Sequence, residues 1–153
     1  MFCFNSKIGK LYIEEKNNRI IRLSFFKIQG EVKESELIKE TCHQLSEYFE
    51  GTRKYFDLPI NPQGTIFQKK VWKELSKIPY GQTRSYKDIA HAIGNPKAYR
   101  AVGMANNKNP ITIIIPCHRV IGKNGDLTGY AGGLNLKKQL LDNENKNAVK
   151  KLS

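Results

Sequence analysis

Cys117 and His118 stand side by side in "NPITIIIPCHRVIG", residues 109 to 122, with Pro116 before them and Arg119 after. A thiol attacks only as its thiolate, and a free cysteine at neutral pH is mostly protonated, so a nucleophilic cysteine requires a base or a cation close by. His118 and Arg119 offer one of each. Successive residues on a strand point to opposite faces, so His118 reaches the sulfur only if Pro116 bends the chain into a tight turn. A histidine working as base has its second nitrogen held by an acid, and Asp126 and Glu144 are the downstream candidates. Glu144, on a predicted helix, is the more rigidly held of the two. The same dipeptide also reads as a buried core thiol beside a hydrogen-bonded structural histidine, and Cys3 and Cys42 read as buried filler. No second pair of ligands sits at finger-like spacing, and Cys3, Cys42 and His43 are scattered, so no metal is assigned.

These residues need elements to hold them. Residues 1 to 29 alternate apolar and polar around a turn at Asn17-Asn18, which predicts antiparallel strands. From Glu34 to Phe49, Leu37, Ile38, Thr41, Leu45, Tyr48 and Phe49 recur at helical spacing, with Gly51 where a C-cap belongs. "DLPINPQGT", residues 57 to 65, breaks any helix or central strand and marks a boundary, giving units 1–62 and 63–153. Past it, Phe67, Val71, Leu75 and Ile78 form an apolar stripe flanked by Lys69, Lys70, Lys73 and Lys77. Ser85 with Asp88 has capping-box spacing before a short helix closing at Gly94, and a second helix opens with Asn95 as N-cap and Pro96 at its first position. Two short helices joined by a Gly-Asn turn predict a helix-turn-helix. On the second, Ala98, Ala101 and Ala105 share a face suited to close packing, and Arg100 projects beside it. Residues 111 to 115 read as a strand, 122 to 133 as a Gly-rich turn or hairpin, and "LNLKKQLLDNEN" as a last helix with Leu136, Leu140 and Leu141 inward. The tail "KNAVKKLS" is expected to fray.

The chain has 153 residues, 39% of them hydrophobic, which suits one ordinary globular domain or two small ones. Lys and Arg number 26 against 14 Asp and Glu, a net charge of +12. That balance points to an anionic partner: nucleic acid first, an acidic membrane surface second, with a solvated Lys-rich face as the bland reading. The N-terminus lacks the apolar core of a secretion signal, and the longest apolar stretch, Ile113 to Pro116, is far short of a membrane span. An odd number of cysteines fits a reducing, cytoplasmic setting.

"IPCHRVIG", preceded by "RAVGMANNKNP" and followed by "GYAGG" and "LLDNE", resembles the active-site region of the O6-alkylguanine-DNA alkyltransferases, also called methylated-DNA–protein-cysteine methyltransferases. "FQKKVWKEL" and "IPYGQTRSYKDIA" are similar too, so the resemblance covers residues 63 to 145 closely and the N-terminal part in general layout. It implies an α+β fold: a small ribonuclease-H-like antiparallel sheet domain with a helix, then a mostly helical winged helix-turn-helix domain. It implies a partner, double-stranded DNA carrying O6-alkylguanine, with O4-alkylthymine a further candidate lesion. The protein would act as a monomer without cofactor or metal, cooperation along DNA being an alternative. Cys117 would accept the alkyl group, His118 would be the base acting through a water, and Glu144 the acid that orients it. Asn109 would brace the turn before the cysteine, and Tyr86 would protonate the leaving guanine and help rotate the nucleotide. Arg100 would fill the gap in the base stack, while Asn95, Ala98, Ala101, Gly103 and Lys123 would meet DNA. Tyr86, Val120, Tyr130 and Ala131 would line the substrate pocket, Ala131 standing where some members carry serine. Two other classes compete: a DNA-binding module without transfer, which should lack the acceptor cysteine, and a Cys-His hydrolase, for which no oxyanion site is recognisable.

Overall fold

Asn17 and Asn18 both adopt left-handed backbone, φ 53° and 59°, and this pair makes the tight turn between two strands. The protein's computed structural model describes residues 2–27, 29–30, 34–122, 125, 127, 130 and 133–150. Strands β1 (Phe2–Ser6), β2 (Gly9–Lys16) and β3 (Arg19–Ser24) form an antiparallel sheet in the order β1-β2-β3, with a bulge between Glu14 and Glu15. Its inner face carries Leu11, Ile13, Ile20 and Leu23, all buried. Helix α1 (Glu36–Glu50) covers that face with Ile38, Leu45, Tyr48 and Phe49. Ser35 accepts from the Ile38 N–H at its start, and Gly51, φ 86°, donates back to the Glu47 and Tyr48 carbonyls at its end. Each such cap contributes about 1 kcal/mol. Cys3 is exposed on β1 rather than buried, because β1 turns that residue to solvent; Cys42 is half-buried on α1, and its thiol is pushed up to about 11 by burial and by the charge of Glu34.

The free edge of β3 is taken by two segments from elsewhere in the chain. Ile20 exchanges bonds with Pro59 and Asn61, and Leu23 does the same with Pro110 and Thr112. The second of these matters for function, since it anchors the segment that leads into Cys117.

Helix α2 (Ile66–Leu75) starts with a capping box between Thr65 and Gln68, and buries Val71, Trp72 and Leu75. The Trp72 indole N–H donates 2.8 Å to the Ala105 carbonyl, and a side chain at Gly64 would collide with the Trp72 ring, so that position accepts only glycine. Lys69, Lys70, Lys73 and Lys77 remain exposed. Helix α3 (Tyr86–Ala92) has the Ser85–Asp88 capping box, and Gly94, φ 79°, turns the chain into the next helix. There the sequence expectation needs correction: Asn95 makes no side-chain cap, Pro96–Ala98 form a 3-10 turn, and α4 runs only from Tyr99 to Asn107. The alanines part company as well. Ala105 is buried beneath Trp72 while Ala101 is exposed.

Two-residue strands β4 (Arg84–Ser85) and β5 (Val120–Ile121) pair in parallel and tie the start of α3 to the chain just past the Cys-His-Arg run. The last helix, α5, runs Leu134–Lys150, so the tail expected to fray continues the helix at least that far. None of the described helices is long and apolar enough to cross a membrane.

Candidate active site

Residues 111 to 115 do not form the expected strand. Ile115 donates to Ile111, Ile114 to Thr112, and Ile113 takes φ 73°, a left-handed conformation that costs a β-branched residue of order 1–3 kcal/mol. Asn109 holds this coil from inside: its Nδ2 donates 2.7 Å to the Ile115 carbonyl and its Oδ1 accepts 3.0 Å from the Ile111 N–H. The coil delivers Pro116 with φ −81° and ψ 64°, and Cys117–Arg119 follow as one 3-10 turn. The bend that the sequence required at Pro116 is therefore present.

Cys117 is buried but not sealed. With Leu23, Ser24, Phe25, Phe26, Asn109, Thr112 and Tyr130 it lines a cavity of about 110 Å³. Thr112 Oγ1 lies 4.0 Å from the sulfur and shares a 2.6 Å hydrogen bond with the Tyr130 hydroxyl. Burial raises the thiol above its ordinary range. Hydrogen bonds from Asn109 and Thr112 and the charge of Lys137 oppose that without reversing it, so the resting group is a thiol. A larger cleft of about 520 Å³ between α2 and α3 lies among Glu74, Lys77, Arg84, Asp88 and His91 and includes no cysteine.

His118 is fully buried, and its Nε2 lies 2.6 Å from Glu144 Oε2. Burial lowers its basicity, and Arg119 and Lys137 add to that, while Glu144 pulls the other way. Burial alone would raise Glu144. His118 and Arg119 outweigh it and hold the carboxyl far below the usual carboxylate range. An ionised Glu144 accepts, so Nε2 carries the imidazole proton and Nδ1 the lone pair. Among the described residues Nδ1 has no hydrogen-bond partner.

Glu144 is saturated with donors. Arg119 gives Nε at 2.8 Å to Oε1 and Nη2 at 3.0 Å to Oε2, the Tyr48 hydroxyl lies 2.6 Å from Oε2, and the Gly81 N–H reaches Oε1 at 3.4 Å. Arg119 also donates to the Ile78 carbonyl. Arg119 thus clamps the acid rather than acting directly on the sulfur.

Other expected positions fall around this centre. Tyr86 is half-buried at the start of α3; a side-chain carbon on Gly103 would rest 3.7 Å from its ring, and Lys137 Nζ lies 5.9 Å from the ring centre. Val120 is fully buried in β5, with its carbonyl accepting from Lys137 Nζ. Asn95, Arg100 and Ala101 are exposed and Ala98 partly so, Asn95 and Ala98 in the connection between α3 and α4 and the other two on α4. Lys123, Asp126 and Ala131, with most of the Gly-rich 122–133 stretch, lie outside the described residues.

Sequence reasoning missed Tyr48, Lys137 and Thr112 as parts of the centre. Lys137 was legible: residues 137, 140 and 144 share a helical face, so a lysine there turns inward beside Leu140 and Glu144. Tyr48 gave a weaker signal, a phenol in an apolar stripe that must find a partner once buried.

A thiol, an imidazole and a carboxylate set beside a helix pair on a basic chain define a class: a protein with a Cys-His-Glu centre and a surface suited to an anionic partner. Two family models match the chain: the 6-O-methylguanine DNA methyltransferase ribonuclease-like domain over residues 3–62, and its DNA binding domain over residues 66–146. The chain belongs to the 6-O-methylguanine DNA methyltransferase family. It is 49% identical over 149 residues to a methylated-DNA–protein-cysteine methyltransferase of Methanosarcina barkeri, covering 93% of this chain and 94% of that one. The constitutive enzyme of that name from Bacillus subtilis is 52% identical over 135 residues, 82% of each chain. The Mycobacterium tuberculosis OGT crystallised in complex with DNA superposes with a TM-score of 0.88 at 43% identity, covering 95% of this chain and 92% of that one.

Proposed function

We propose that the protein repairs O6-alkylguanine in double-stranded DNA by moving the alkyl group irreversibly onto Cys117. The observation that carries this reading is the Cys117 thiol facing a cavity while the next residue, His118, has one ring nitrogen held by Glu144 and the other without a partner among the described residues.

Displacement at a saturated carbon requires in-line approach, which a stacked base denies, so the nucleotide turns out of the duplex at a cost of a few kcal/mol. Exposed Arg100 enters the vacated stack, and small Ala98, Ala101 and Gly103, with Asn95 and Lys123, let the helix pair lie close to DNA. Tyr86, Val120, Tyr130 and Ala131 bound the base. His118 Nδ1 takes the thiol proton through a water; the thiolate attacks, the S–C bond forms and the O6–C bond breaks. Tyr86 passes a proton to the departing guanine and regains one from solvent, while the imidazolium of His118 returns its proton to solvent, so the proton lost by sulfur is matched by the one gained on the base. The thioether has no leaving group, and each molecule acts once.

The helix pair and the site belong to a unit of residues 63–153, with residues 1–62 as its partner unit. In this reading the protein works in the cytoplasm, a setting that a reduced acceptor thiol suits, and acts as a monomer. The test is intact mass after incubation with a duplex holding one O6-methylguanine. One methyl group per chain, on Cys117, is expected; no gain in mass, or repeated turnover, refutes the reading.

A further inference from the structure

Glu144 Oε2 receives three donors: His118 Nε2 at 2.6 Å, the Tyr48 hydroxyl at 2.6 Å and Arg119 Nη2 at 3.0 Å. Two belong to the Cys-His-Arg turn. The third comes from α1, ninety-six positions earlier in the chain. Its ring is fixed by Phe49 edge-on at 5.2 Å, Phe56 at 5.5 Å and Tyr80 edge-on at 6.2 Å, and the ring and the carboxylate are both buried. Bulk water therefore has no ready route to replace the hydroxyl.

We propose that Tyr48 is a positioning residue for alkyl transfer: its hydroxyl, bound to the carboxylate that holds His118, limits how basic His118 becomes. The proposal rests on the alkyl-transfer reading above. Donors to one carboxylate oxygen share its electron density, and each weakens what remains for the others. Without the hydroxyl, Glu144 accepts the His118 N–H more strongly and stabilises the imidazolium. Burial and the Glu144 charge keep the Tyr48 phenol protonated, so it donates at any working pH. Arg119, the Gly81 N–H and Tyr80 also face the carboxylate, Lys137 acts on His118 from α5, Cys117 adjoins it, and Lys54 lies over the Tyr80 ring. Changing Tyr48 alone leaves all of these in place. A core tyrosine of no further purpose would share the packing and affect stability, but would leave the proton equilibrium of His118 unchanged.

The test compares wild type with Tyr48→Phe in the full chain through two readouts: the His118 imidazole titration followed by NMR, and the single-turnover methyl-transfer rate against pH. The His118 pKa and the acid limb of the rate profile are expected to rise together by about half a unit to one unit, with the plateau above the limb undiminished. A limb that stays put, or a rate lowered evenly at every pH, overturns the proposal. If Tyr48→Phe does not fold, 3-fluorotyrosine placed at position 48 decides, because a more acidic phenol is a stronger donor. It should move the His118 titration down, and an unmoved titration overturns the proposal. A wild type that takes up no methyl refutes the transfer reading instead, and the NMR titration still reports on Tyr48 by itself.

Discussion

Replacing Glu144 with Gln tests the centre most directly, because it keeps the shape and removes the charge. In the native protein the carboxylate accepts from Arg119 twice, from His118, from Tyr48 and from the Gly81 N–H. A glutamine offers one oxygen, and its amide group must point a donor at donors already there. Arg119, whose side chain is 7% exposed, then loses its counter-charge without gaining water. Breaking a buried pair from one side costs about 3–5 kcal/mol, a large part of the about 5–15 kcal/mol that holds a domain together. With a urea slope of about 2 kcal/mol/M, the unfolding midpoint should fall by about 2 M. The single tryptophan, Trp72, is buried against α4 and reports the transition by fluorescence. In the fraction that stays folded, His118 has lost the group that fixes its tautomer, and the single-turnover methyl-transfer rate should fall about 10²- to 10⁴-fold. A Glu144→Gln protein that unfolds at the wild-type urea concentration and transfers methyl within a few-fold of the wild-type rate would refute the relay from carboxylate to imidazole to thiol.

Cys117→Ala should abolish methyl uptake while duplex affinity, read by fluorescence anisotropy, stays within about twofold; an unchanged mass gain would assign the acceptor elsewhere. Arg100→Ala should leave the unfolding free energy within about 0.5 kcal/mol of wild type, since the side chain is exposed, yet slow transfer from duplex DNA about tenfold for every 1.4 kcal/mol of lost support to the turned-out base. Transfer from the free base should change far less, and equal losses on both substrates would argue against the finger role. Stability should fall with acid in two stages. Folded His118 titrates below its ordinary 6.5, so the unfolded chain binds the extra proton first and stability declines as pH falls under about 6.5. Folded Glu144 titrates far below its ordinary 4.5, so its contribution is complete above that value and drains away as pH falls further. Urea midpoints from pH 8 to 2 follow both stages, and His118→Gln should remove the first; a wild type equally stable across that range would contradict the assignments.

Much of the frame could be read locally because it is decided locally. The Asn17-Asn18 turn, the Gly51 cap and the Ser85–Asp88 capping box each depend on residues within one turn of each other, and all three formed. The Thr65–Gln68 box had the same kind of signature and was equally available. The Ile-rich run failed for a reason of its own. β-branched residues fit a pleated surface, yet Asn109 bonds backbone groups on both sides of the run and Pro110 and Pro116 bound it, so it closes into a coil in which Ile113 is strained. Only its first residues reach the sheet, as the Leu23–Ile111 bridge.

The proposed catalytic centre divides along the same line. The Cys117–His118 pair is written in adjacent letters, and Glu144 follows from the helical face that also turns Leu140 inward. What no local pattern conveys is where the carboxylate's remaining valence goes. Arg119, drawn by the sequence as a neighbour of the thiol, spends its guanidinium on Glu144, and the fourth donor arrives from α1 through Tyr48. An ionised carboxylate buried this deeply persists only when its lone pairs are filled by donors. The Arg119 fork, the His118 N–H and the Gly81 amide supply four hydrogen bonds, and the sheet-and-helix unit adds a fifth through Tyr48, which makes Oε2 share its density among three donors. The same unit grips the coil before Cys117 through Leu23 and contributes Phe25 and Phe26 to the cavity wall. Residues 63–153 carry the proposed nucleophile, base and acid, yet the Glu144 carboxylate is fully coordinated only when α1 is packed in place. Detaching residues 1–62 should therefore disturb the ionisation of His118 as well as the stability of what remains.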